Sequence, residues 1–159
     1  MIKKTIAGLL FSSLTLFAMP NDEVDLVLMS KALEKKAVVL TTMDLKGDVK
    51  EKFGKLYDEY QQKLMKQNMD QIQLIESYAK GYLNLTDEKA DKLIKQWITQ
   101  EESKIVLTKE YMAKFKKIMP SSDVIRYFQI EHRLQTLRDA QISTIIPLAQ
   151  PAPTENSVK

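Results

Sequence analysis

An apolar repeat of about 3.6 residues runs from Asp48 to Met119 and breaks once, at Gly81–Thr86. Before the break it is marked by Val49, Phe53, Leu56, Tyr60, Leu64, Ile72, Ile75, Ala79 and Tyr82. After it come Ala90, Leu93, Trp97, Leu107, Tyr111, Phe115 and Ile118. The pattern predicts two amphipathic helices of nearly equal length, folded back on each other as a hairpin over 48–119. At ~1.5 Å per residue each arm is about 50 Å long. A rod of that length cannot bury its apolar stripe alone and needs the other arm, a further helix or a second subunit. The expected fold class is therefore all-α: a long antiparallel helical hairpin with a shorter N-terminal helix and a C-terminal helix, completed by homodimerisation.

Composition agrees with this and excludes alternatives. With 159 residues, 44% of them apolar and 28% charged, the chain suits one helical domain and is too apolar for a disordered one. Four Gly and five Pro are too few for a turn-rich β fold. There is no Cys, so disulfides and thiolate chemistry are out of reach. The net charge of +3 includes Lys3 and Lys4; without them it is about +1, too little to demand nucleic acid.

Residues 1–18 have the form of a secretory signal peptide. Ile2-Lys3-Lys4 is basic, Thr5 to Phe17 is apolar but short for a bilayer span, and Ala18 suits cleavage. An uncleaved anchor is the other reading. Export implies a periplasmic location, no ATP, and no stable membrane insertion once the signal is removed.

The single helical domain is expected over 19–147. Asn21 to Met43 reads as a helix with Asp22, Glu23 and Asp25 at its positive end, although the run 37–42 could be strand-like or frayed. Gly47 permits a turn, and Asp48 with Glu51 has capping-box spacing. Gly81 is placed to end the first arm in the left-handed conformation. Thr86 is the expected N-cap of the second arm, with Leu85 as a staple. Pro120 bounds that arm, Ser121 or Ser122 caps the last helix, and Pro147 stops it. The Pro-containing tail 148–159 is expected to be disordered.

No catalytic constellation stands out, so no enzyme and no cofactor is expected. His132 is the only histidine. Glu131 beside it points elsewhere on a helix, and Gln129 occupies the position a Glu-x-x-His metal pair would need. The plain reading of His132 is a hydrogen-bonded or surface residue; the sharper one is a weak zinc ligand shared across a dimer. Lys114, Lys116 and Lys117 complement a helix C-terminus or, more sharply, form with Lys109 a basic rim beside an apolar groove. The candidate binding residues are Tyr57, Met65, Met69, Ile98, Ile105 and Met112. Met65 and Met69 are one turn apart and off their arm's main stripe, and Ile98, Ile105 and Met112 follow heptad steps on a second face of theirs. Flexible thioethers suit surfaces that accept many partners, although packing in a core or interface is the plain alternative.

The set Phe53-x-x-x-Tyr57-x-x-Tyr60, Leu74-Ile75-x-x-Tyr78-Ala79, Leu85-Thr86-Asp87-Glu88-Lys89-Ala90, Tyr111-x-x-Lys114-Phe115-x-x-x-Met119-Pro120 and Arg126-Tyr127-Phe128-Gln129-Ile130-Glu131 resembles the Spy/CpxP-like (LTxxQ-motif) periplasmic helical protein family, closest to its small exported members. The resemblance covers roughly 45–148. Lys89 stands where the motif has Gln, and no second motif copy is recognisable. The resemblance implies an antiparallel dimer with a concave cradle, ATP-independent chaperoning of unfolded polypeptide, or inhibition of an envelope-stress sensor. Three functions are therefore expected in competition: a chaperone or stress adaptor, a metal-responsive or regulatory sensor acting through a membrane partner, and a structural protein whose apolar stripes are filled by its own dimer.

Overall fold

The computed structural model describes residues 21–150, and the side chains of 31–150. The signal-peptide reading of 1–18 and most of the tail lie outside the described residues. Four α-helices and no strand occur among them: α1 Asn21–Met43, α2 Gly47–Ala79, α3 Asp87–Phe115 and α4 Ser121–Ser143. The fold is all-α, as the periodicity requires. The two arms are continuous, at 33 residues for α2 and 29 for α3. No helix among the described residues is long and apolar enough to cross a membrane.

Several local expectations are corrected. The β-branched run 37–42 is helical to its end. Thr42 Oγ1 donates to the Val38 carbonyl at 2.7 Å, so its hydroxyl is used inside the helix, and Val39 is fully buried. After α1 the chain turns with two residues at positive φ, Asp44 at 50° and Gly47 at 54°. Asp44, which tolerates the left-handed region better than most residues, shares the role expected of Gly47 alone. α2 starts at Gly47, so Asp48 lies in its first turn, where its charge meets the helix dipole. Gly81 has φ −134°, outside the left-handed region; the arm instead closes through a 3₁₀ turn, Tyr82–Asn84, with the Asn84 N–H donating to the Gly81 carbonyl. Thr86 caps α3 as expected, its hydroxyl accepting from the Lys89 N–H at 3.4 Å. α3 ends at Phe115, ahead of the Met119 boundary. Ser121 is the first residue of α4 rather than its cap, and the Pro120 carbonyl accepts from the N–H groups of Asp123 and Val124.

The chain divides into two compact groupings. The first contains residues 21–54 and 118–141. Its buried side chains are Val39, Met43, Phe53, Met119, Val124, Tyr127 and Phe128, together with the charged Glu131. Phe53 meets Tyr127 edge-on with ring centroids 5.1 Å apart, and Tyr127 meets Phe128 at 5.0 Å. Lys35 Nζ reaches Glu131 Oε2 at 2.7 Å, so the buried carboxylate is paired. Arg126 donates to the Thr42 carbonyl at 2.8 Å, satisfying a C-terminal carbonyl of α1.

The second grouping contains residues 55–117 and 142–150. Its buried side chains are Tyr57, Tyr60, Leu64, Leu107, Tyr111 and Phe115. Tyr60 and Tyr111 stack at a tilt, 5.1 Å between centroids. Beyond α4, the Pro147 carbonyl accepts a hydrogen bond from the Tyr78 hydroxyl at 2.7 Å, so the chain is tied back to α2 near its end.

Candidate binding surface

The hairpin's register follows from its cross-links. Lys63 pairs with Glu110 at 3.2 Å, Gln67 donates to Ser103 Oγ at 2.7 Å, and Gln100 donates to the Asp70 carbonyl at 2.9 Å. Successive residues of a helix advance by about 100°. On α2, Met65, Met69 and Ile72 therefore form a stripe about a third of a turn from the buried Tyr60–Leu64 stripe. On α3, Ile94, Ile98, Ile105 and Met112 form a stripe displaced by a similar angle, in the same sense, from Leu107 and Tyr111. Because the arms run antiparallel, rotations of the same sense bring both stripes to one face of the hairpin. The polar cross-links lie on the other face. There a shallow groove between the arms is lined largely by polar side chains, among them Asp70, Gln73, Gln96 and Thr99.

The apolar face is open. Met65 and Met69 are each 47% exposed, Ile98 50% and Ile105 54%; Ile72 and Ile94 are exposed beside them. Four of the six candidate residues thus share one accessible face. Met112 is half-buried at the lower end of the same stripe. Tyr57 is a correction: it is 2% exposed and part of the core. It lies four residues after Phe53 and three before Tyr60, so helical spacing carries it to the inside. Three residues expected inside are out, the small Ala79 among them. Trp97 is 60% exposed and Ile72 39%. Ile94, four residues before Ile98, belongs with the candidates, and its spacing is the signal that identifies it.

The interior of the same stretch carries amides. Gln67, Asn68 and Gln71 continue the inward stripe of α2 above Leu64, and Gln100 continues that of α3 above Leu107; all four are half-buried. The side-chain oxygens of Gln67, Asn68 and Gln100 are shielded from solvent and accept no hydrogen bond from the protein. None of the described residues between Leu64 and Leu107 is buried.

The basic residues fall into two sets. Lys114 and Lys63 both reach Glu110, at 2.8 and 3.2 Å, and sit 4.3 and 5.2 Å from the centre of the Tyr111 ring. Hydrogen bonds from Lys114 and then Lys63 hold the Glu110 carboxyl below its ordinary value, and Glu110 raises both lysines. This cluster clasps the arms where the aromatic core ends. Lys109, Lys116 and Lys117 are exposed. His132 is exposed, and the Glu131 carboxylate beside it is taken by Lys35. Among the described residues no three His, Cys, Asp or Glu side chains gather as metal ligands.

No family model matches the chain, nor does any curated protein or solved structure.

Proposed function

We propose that the protein is an exported, ATP-independent chaperone or envelope-stress adaptor that holds unfolded polypeptide on the apolar face of its hairpin. The observation that carries this reading is the shared, half-exposed face of Met65, Met69, Ile72, Ile94, Ile98 and Ile105. Apolar residues scattered singly over a surface need no explanation, but a stripe gathered from two helices on one face is a contact surface. Two of the six are methionines, whose flexible thioethers adapt to varied partners at little cost. The basic, apolar leader supports export, and the Spy/CpxP-like sequence pattern supports the same class of activity. The proposal includes pairing of two copies. Val106, exposed about a quarter turn from the Ile98–Ile105 stripe, offers α3 a second contact, and the solution mass of the chain tests the pairing.

The function is tested by the light scattering of an aggregating client protein without nucleotide. The intact chain suppresses aggregation, and the double substitution Ile98→Glu/Ile105→Glu abolishes the effect while leaving helicity unchanged. No suppression by the intact chain at a several-fold molar excess, or full suppression by the double variant, would remove the proposal.

A further inference from the structure

We infer that residues 65–106 of the hairpin open as a unit of their own, while the aromatic segment below them stays closed. The inference concerns the protein alone and stands whether or not a polypeptide binds. Three observations carry it. The buried residues of this grouping are confined to positions 57–64 and 107–115, and none falls between Leu64 and Leu107. The positions that should zip the arms together are Gln67, Asn68, Gln71 and Gln100, three of which hold a shielded amide oxygen without a protein donor. Most large apolar side chains of the same stretch, among them Met65, Met69, Ile94, Trp97, Ile98 and Ile105, lie outside the seam, while Leu74, Ile75 and Leu93 are only half-buried and resist opening weakly.

The opening free energy of a segment scales with the apolar surface it would expose, and here much of that surface is already in solvent. Opening hydrates the three amide oxygens, which removes a penalty of the closed state; it breaks the Gln67–Ser103 and Gln100–Asp70 hydrogen bonds, which are exposed and are replaced by bonds to water. Below the segment the Lys63–Glu110–Lys114 clasp and the Tyr60–Tyr111 stack keep the arms in register. At its upper end the Tyr78 hydroxyl is tied to the Pro147 carbonyl, a strap from the chain beyond α4 that restrains fraying of the end of α2. An arm freed from its partner over this length is a marginal helix, so opening leads to fraying as well as separation.

Native-state hydrogen exchange of the intact chain, resolved by segment, tests the inference. Amides of 65–79 and 87–106 exchange on the order of a hundredfold faster than those of 55–64 and 107–115. Asn68→Leu, which exchanges an unpartnered amide for apolar contact, slows the upper segment by about tenfold. Tyr78→Phe, which cuts the strap, accelerates it several-fold, and Gln62→Leu on the outer surface leaves it unchanged. Uniform protection along both arms would overturn the inference. So would an upper segment that responds to none of the three substitutions, or to Gln62→Leu as strongly as to Asn68→Leu.

Discussion

The two halves of the hairpin use the same secondary structure in opposite ways. In the half near Tyr57–Leu64 and Leu107–Phe115, aromatic and aliphatic side chains face inward and are buried. In the half near the 3₁₀ turn, amides and the half-buried Leu74, Ile75 and Leu93 face inward, while Met65, Met69, Ile94, Trp97, Ile98 and Ile105 face outward. Both halves are helical, and both arms cross from one to the other without a break. Helix formation therefore does not require that the apolar stripe point inward along the whole length; one well-packed half suffices to hold the arms together. The inverted half leaves Met65, Met69, Ile98 and Ile105 in solvent.

That contrast can be broken most severely at Phe115. It is fully buried, and Phe115→Ala should destabilise the chain by about 3–5 kcal/mol in urea unfolding. Trp97→Ala, an equally drastic truncation in the other half, should stay within about 0.5 kcal/mol by the same measurement. Equal losses at the two sites would erase the distinction between the halves. A smaller effect of opposite sign is expected from Asn68→Leu. Filling the amide seam should raise the urea midpoint by the equivalent of about 1 kcal/mol, whereas a polar residue satisfied in place would make the change destabilising.

The smallest effect is electrostatic. Lys114 and Lys63 depress the Glu110 carboxyl, so the cluster's contribution is present above the ordinary carboxylate value and fades as pH falls through the lowered folded value. The two lysines are raised by Glu110, so their contribution holds below their ordinary value and is lost only as pH rises through the folded value. At neutral pH both are in force. Glu110→Gln should therefore flatten part of the acid limb of a urea midpoint–pH profile. The effect is slight, because all three groups are in contact with solvent and exposed ion pairs contribute little.

Much of this architecture was legible in the residues themselves. The period of Val49–Tyr82 and Ala90–Ile118 gave the two arms, Thr86 gave the start of α3, and the heptad steps of Ile98, Ile105 and Met112 marked a second face. Tyr57 is harder to place from sequence, because a tyrosine suits either environment, although its spacing to Phe53 and Tyr60 points inward. Trp97 and Ile72 share the apolar period of the core, and only the neighbouring amides distinguish their half of the hairpin. The inward positions are identified by register against the other arm, and register depends on pairs such as Lys63–Glu110 that no single-arm pattern contains. The Lys35–Glu131 pair joins residues 96 apart in sequence, beyond any helical periodicity. Asp44 adopts a conformation for which glycine would have been the expected residue.

The proposed function requires that the half of the hairpin near the 3₁₀ turn present an open apolar surface to polypeptide. The chain supplies its own reporter, since Trp97 is its one tryptophan and lies in that half, 60% exposed. Its fluorescence should show a water-exposed indole in the protein alone and shift to the blue when an unfolded, tryptophan-free polypeptide is added in excess. A blue-shifted emission already present in the protein alone, or an emission that unfolded polypeptide leaves unmoved, would contradict the account.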